Sequence, residues 1–305
     1  MHKSVHTLIG ETPLFELTHK SIPTDVRVIA KLEYMNPGGS IKDRLGLSLL
    51  KHAIEHKYIT HNGTIIEPTA GNTGIALALA VIGTNVKVHC VIPKGFSREK
   101  QQLMQALGAT VHITSNEKGI EGAIAYAKEL TDNMPDSYSP CQFNNEQNPL
   151  TYYETLAPEL WSQLGGNIDV FVAGAGTGGT FIGTARYLKE KNAAIRTVVV
   201  EPEGSILNGG TPGSHRTEGI GMNQLSSIID PHFFDGIHTI TDCEAFRMTR
   251  QLAKNVGLLV GSSSGAAFCA AIREAQKAKK GETIVTIFPD GSERYLSTGI
   301  YEEEK

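Results

Sequence analysis

Four times along this chain an apolar run stops at a glycine-rich turn and helical spacing begins at once. The turns are Asn36-Pro37-Gly38-Gly39-Ser40-Ile41-Lys42-Asp43-Arg44, Pro68-Thr69-Ala70-Gly71-Asn72-Thr73-Gly74, Gly174-Ala175-Gly176-Thr177-Gly178-Gly179-Thr180 and Gly261-Ser262-Ser263-Ser264-Gly265. Glycine and proline break a strand sharply, and a helix started on such a turn packs back on the sheet it left. Strands alternating with helices imply an α/β fold with a parallel, doubly wound sheet. At 305 residues the chain can form one large domain or two lobes.

The periodicity predicts strands at 26–32, 64–67, 86–92, 110–114, 168–173, 197–201 and 283–288. Helical spacing covers 43–58, 75–82, 97–107, 117–130, 151–164, 180–189 and 242–256, with a further helix after Gly265. Thr151-Tyr152-Tyr153-Glu154 has the form of a capping box opening the 151–164 helix. Residues 131–148 are polar and contain proline, which suits a crossing between lobes. Residues 202–236 have the length and glycine content of a functional lid or entrance.

A net charge of −4 with 20% charged residues leaves no basic stripe for nucleic acid. No apolar run approaches membrane-spanning length, and the longest, from Ile75 to Gly83, reads as a buried helix. The first residues lack the apolar core of a signal peptide. Cys90, Cys141, Cys243 and Cys269 form no C-x-x-C pair, so reduced thiols in a cytoplasm are expected.

Lys42 lies where a helix start would place its amine beside anionic groups, a setting for covalent chemistry with a cofactor. In Gly176–Thr180 the glycines let backbone N–H groups approach a phosphate, the following helix adds its positive end, and two threonine hydroxyls can donate. The same stretch satisfies G-x-G-x-x-G through Gly174, Gly176 and Gly179, with Glu201 where a ribose-binding acid would sit in a nicotinamide enzyme. His52-Ala53-Ile54-Glu55-His56 matches the H-x-x-E-H pattern of some zinc peptidases, although its lysine neighbours read as a solvated face.

The stretch from Asn36 to Arg44 closely resembles the lysine motif of the cysteine synthase and cystathionine β-synthase family, pyridoxal-phosphate (PLP) enzymes of the tryptophan-synthase-β fold. The resemblance runs from Gly10-Glu11-Thr12-Pro13-Leu14 to Glu293-Arg294-Tyr295-Leu296-Ser297-Thr298. It implies a two-lobed α/β architecture, PLP fold type II, each lobe a mostly parallel sheet flanked by helices. Residues 1–145 would form an N-terminal lobe, with about 13–34 packing with the other lobe. Residues 146–305 would form the lobe that binds the PLP phosphate, with no haem-binding extension and no regulatory domain.

Such enzymes need a lysine that carries the cofactor, an anion cradle, and a partner for the pyridine nitrogen. The resemblance assigns Lys42 as covalent anchor and as acid and base at the substrate's α-carbon. It assigns Gly176, Thr177, Gly178, Gly179 and Thr180 to the phosphate, Asn72 to the ring hydroxyl and Ser263 to the pyridine nitrogen; an alignment slip of one would choose Ser264. Thr69, Ala70, Gly71, Asn72 and Thr73, at a helix start, with Gln142, would take the substrate's carboxylate. A hydroxyl does not hold the ring nitrogen protonated, which favours β-elimination over transamination. The Lys42 turn and the serine cluster, which a dinucleotide fold does not require, favour PLP over nicotinamide.

Cysteine synthases usually read Thr-Ser-Gly-Asn-Thr-Gly where this chain has Ala70 in place of the serine. The same variant resembles the bacterial branch of the family that makes cystathionine from O-acetylserine and homocysteine. The expected activity is therefore β-replacement on O-acetylserine, with homocysteine preferred to sulfide, in a homodimer. The alternatives are a sulfide-using cysteine synthase, a nicotinamide-dependent oxidoreductase and a non-catalytic binding partner on the same fold. Dehydratases of this superfamily usually carry a Gly-Gly-Gly-Gly loop and a histidine where this chain has Thr73.

Overall fold

The computed structural model describes residues 2–69, 71–115 and 119–302. Ala70 of the substrate loop and Glu117, the expected start of a helix, lie outside the described residues. The first strands are β1 (Leu14–Leu17) and β2 (Arg27–Leu32). There follow α1 (Lys42–Glu55), β3 (Thr64–Pro68), α2 (Asn72–Ala80), β4 (Lys87–Pro93), α3 (Arg98–Ala106), β5 (Thr110–Thr114), α4 (Gly119–Asn133) and β6 (Ser137–Tyr138). The rest of the chain forms α5 (Gln147–Glu154), α6 (Leu156–Gln163), β7 (Val170–Gly174), α7 (Gly179–Lys191), β8 (Arg196–Pro202), β9 (Gly236–Ile240), α8 (Asp242–Gln251), α9 (Ser262–Ala275) and β10 (Thr283–Phe288).

These elements form two compact units, one of Met1–Ile9 with Asn36–Gln147 and one of Gly10–Met35 with Asn148–Lys305. The first unit holds a parallel sheet in the order β5-β4-β3-β6. Ile66 of β3 and Val91 of β4 pack on Ala123 and Ala127 of α4. The second unit holds the order β1-β2-β10-β7-β8-β9, parallel except for β1, which runs antiparallel to β2. Its core joins Val28, Val172, Val198 and Ile284 from the strands to Phe268 and Ala271 of α9. Central strands such as β3 and β10 are buried at every residue, which is why they read as continuous apolar runs.

Two expectations need correction. The 151–164 helix is two helices, α5 and α6, that break at Thr155, because Pro158 in the first turn of α6 cannot donate back to Glu154. Thr151 consequently lies inside α5 and not at its start; the side chain of Asn145 accepts the N–H of Gln147 there, at 2.9 Å. The capping box of this chain is Thr241 with Glu244, ahead of α8. The polar stretch at 131–148 supplies strand β6 beside β3, and the irregular 202–236 stretch runs into β9, the edge strand beside β8. No helix among the described residues is long and apolar enough to cross a membrane.

Candidate active site

Lys42 is the first residue of α1 and is half-buried. The turn before it holds itself: the N–H of Gly39 donates to Asn36 O at 2.8 Å, and that of Gly38 to Asp43 Oδ2 at 2.5 Å. Four residues on, Gly46 lets α1 meet the backbone of α2, since a Cβ there would lie 2.6 Å from the carbonyl oxygen of Ala76. Ala76 is in turn four residues past Asn72. Each helix start therefore lies about one turn, roughly 5 to 6 Å, from the same crossing point.

The second helix start is shaped by Gly71, whose φ of +141° and ψ of −70° are open to glycine alone. No side chain caps it. The hydroxyl of Thr69 accepts the N–H of Gly71 at 2.9 Å, and the aliphatic stem of buried Lys100 packs against Gly71. Thr73 donates its hydroxyl to Gln142 Oε1 at 2.7 Å, so the structure brings these two substrate-site candidates together. Behind them Glu67, fully buried at the end of β3, accepts the N–H of Cys141 at 3.0 Å and of Gln142 at 3.1 Å. Burial pushes the Glu67 carboxyl up to about 8, against the lowering effect of the Gln142 and Cys141 donors and of the Lys42 charge. Burial and the Glu67 charge push the Cys141 thiol up to about 11.

In the second unit, Gly178 caps α7 in a left-handed conformation with φ +91°. Asn148, fully buried on α5, donates from Nδ2 to Thr177 Oγ1 at 2.9 Å. The carbonyl of Thr177 accepts from Ser226 Oγ at 3.3 Å. Gly176 packs on the backbone of Gly219, and Gly219 in turn faces Ser263 Oγ, so the cradle and the serine cluster adjoin. Among the serines at the start of α9, Ser262 accepts the N–H of Glu218 at 3.4 Å. Ser264 Oγ is sealed inside without a partner, while Ser263 is almost fully buried and its hydroxyl is uncommitted. The helix start, the Gly178 turn and the hydroxyl hydrogen of Thr177 together make a donor set that suits a phosphate monoester.

The competing motifs do other things. Glu201 is buried and accepts the N–H of Leu207 at 2.9 Å, the N–H of Asn208 at 3.2 Å and the Thr239 hydroxyl at 2.9 Å. A carboxylate so used within its own loop is not offered to a ribose. In the H-x-x-E-H stretch, His56 donates from Nδ1 to His52 O at 3.0 Å, and its ring stacks on Tyr58. No group of three or more side chains that could hold a metal ion occurs among the described residues. Sequence reasoning missed Glu67 and Asn148. An acid closing an otherwise apolar strand was the available signal for Glu67; nothing in the spacing marks Asn148.

Residues 5–290 match the family model for pyridoxal-phosphate dependent enzymes. The chain is 55% identical over 295 residues to the O-acetylserine dependent cystathionine beta-synthase of Bacillus subtilis, spanning 97% of this chain and 96% of the relative. It is 57% identical over 295 residues to a cysteine synthase of Helicobacter pylori, spanning 96% of each. Among solved structures, the O-acetylserine dependent cystathionine beta-synthase from Helicobacter pylori matches with a TM-score of 0.95 at 55% identity, over 99% of each chain.

Proposed function

This chain belongs to the pyridoxal-phosphate dependent enzyme family, and on that premise we propose that it catalyses β-replacement on O-acetylserine, with homocysteine as preferred thiol and cystathionine as main product. Its fold is that of the fold type II members, and its cofactor is pyridoxal 5'-phosphate. The observation that carries the reading is the uncommitted Ser263 hydroxyl at the start of α9. The bound cofactor supplies an electron sink for the substrate's α-carbon, and a hydroxyl at its ring nitrogen keeps that sink weak, which favours loss of a β-substituent over transamination.

Lys42 anchors the cofactor covalently. Once released, its Nζ takes the proton from the substrate's α-carbon and returns it after the thiol has added. Gly176, Thr177, Gly178, Gly179 and Thr180 hold the phosphate, and Asn72 meets the ring hydroxyl. Thr69, Ala70, Gly71, Asn72 and Thr73 bind the substrate's carboxylate at the start of α2, with Gln142 beside them. That grip fixes the α-carbon before Lys42, while acetate leaves the β-carbon and the thiol takes its place. The enzyme acts on these small molecules in the cytoplasm, as a homodimer.

The choice of homocysteine rests on Ala70 and on the relative named for cystathionine synthesis. One lost hydroxyl changes local hydrogen bonding by about 1 kcal/mol, enough to bias an acceptor and too little to dictate it. Sulfide is the second reading, favoured by the relative named a cysteine synthase. Product analysis with O-acetylserine and each thiol decides between them: homocysteine should give the higher kcat/KM, and a clear excess for sulfide would make the protein a cysteine synthase. Lys42→Ala should abolish turnover and leave no cofactor on any peptide after borohydride reduction. Cofactor trapped on another lysine of that variant would move the anchor elsewhere.

A further inference from the structure

Glu67 is a buried acid with no part in the proton transfers outlined above. It is the next-to-last residue of β3, two residues before Thr69, with its side chain fully enclosed. Its two oxygens accept the successive N–H groups of Cys141 and Gln142, at 3.0 and 3.1 Å. Cys141 is held at φ +47°, a left-handed backbone that a non-glycine residue keeps only when its surroundings impose it. Successive N–H groups beside a left-handed residue make a small anion-binding concavity, and here a side chain of the same chain fills it. Gln142 then accepts the hydroxyl of Thr73 at 2.7 Å. The bonds close a ring, from Glu67 along the chain to Thr73 and back through Gln142.

We propose that Glu67 is a positioning residue for the amino-acid substrate: its carboxylate holds the Cys141–Gln142 turn against the Thr69–Thr73 loop and so fixes the donors that meet the substrate's carboxylate. This rests on the reading of that loop and Gln142 as the carboxylate site. The groups facing Glu67 are Lys42 of α1, Cys90 opposite it on β4, Tyr138 of β6 and Cys141 itself. On the other face of the strand α4 packs against Ile66. Lys42 is the cation among these groups and favours the ionised form, but burial outweighs it, and the carboxyl titrates at about 8. An ionised carboxylate presents an acceptor to each N–H, whereas a protonated one spends an oxygen on its own hydrogen. The turn is therefore held more firmly as pH rises through that value.

Glu67→Gln keeps the shape but sets an amide N–H against one of the two backbone donors. In the holoenzyme, binding of L-alanine, an α-amino acid without a leaving group, is read from the change in cofactor absorbance. At pH ~8.5 E67Q should bind L-alanine about tenfold more weakly, with KM for O-acetylserine raised by a similar factor and kcat within about threefold. Wild-type affinity should gain on that of E67Q as pH rises from about 7 to about 9. Cys141→Gly, which takes a positive φ without strain, should recover about threefold in the E67Q background. Equal L-alanine affinity in E67Q and wild type, a loss confined to kcat, or no recovery with Cys141→Gly overturns the proposal. Should E67Q not accumulate as folded holoenzyme, Glu67→Asp withdraws the carboxylate from the two N–H groups of Cys141 and Gln142 by one methylene. The same KM-selective loss is expected there, and an unchanged KM overturns the proposal. Failure of the functional reading looks different, since the wild type itself would then lack cofactor absorbance or β-replacement.

Discussion

Thr177 owes the direction of its hydroxyl to a residue 29 positions earlier in the chain. A hydroxyl has one hydrogen and two lone pairs. Asn148 donates into one lone pair of Thr177 Oγ1, which leaves the hydrogen for an anion at the start of α7. Asn148→Asp keeps the shape and reverses the bond: the carboxylate takes the Thr177 hydrogen and places a negative charge beside the phosphate. The apoenzyme should then bind PLP about 100-fold more weakly, against about fivefold for Asn148→Ala, in a fluorescence titration. Similar affinities for all three proteins would remove Asn148 from the cradle's design. At this scale the sequence was readable where backbone chemistry leaves a trace, as in Lys42 on its turn and the glycines of 174–180. Asn148 left none, because an asparagine before a proline reads as a turn, while Pro149 here sits harmlessly in the first turn of α5. Glu67 was visible only as a charge ending an apolar strand, and its partners lie more than seventy residues away.

Most strands were legible through their burial. β3, β8 and β10 lie close to their expected spans because strands covered on both faces must be apolar throughout, whereas β5, an edge strand with no fully buried residue, was legible from its own spacing. β1, β6 and β9 are edge strands, half-buried and short, and their alternation is too weak to stand out from loop. The helices that carry the site begin earlier than their apolar spacing suggests. α2 starts at Asn72 and α9 at Ser262, since their first turns are polar and show no apolar spacing. The crossing of α1 on α2 through Gly46 and Ala76 could not be read at all: a glycine inside a helix signals lost propensity, and only the packing reveals that a backbone lies against it. That crossing places the starts of α1 and α2 each about one turn from a shared contact.

At the scale of the whole molecule two buried acids, one in each unit, respond to pH in opposite directions. In the second unit, burial raises the Glu274 carboxyl, but His238, Arg196 and Lys277 outweigh it and hold the group at about 2. Its stabilising contribution is present above the ordinary carboxylate range and is lost as pH falls through the folded value. Glu67 works the other way. Between its unfolded value of 4.5 and its folded value of about 8 the native protein keeps a proton that the unfolded chain releases, so stability falls as pH rises across that window and is flat above it. The slope approaches 1.4 kcal/mol per pH unit, so wild type should lose about 2 kcal/mol relative to E67Q between about pH 6 and about pH 8. Urea unfolding of both proteins at the two pH values measures this directly, and parallel curves would mean that Glu67 is ionised throughout the range. The same ionisation that lowers stability completes the hold on the Cys141–Gln142 turn. A wild type that binds the amino acid best where it is less stable, beside an E67Q that is steadier with pH and binds weakly throughout, is the joint outcome expected of a carboxylate kept buried for the substrate's sake.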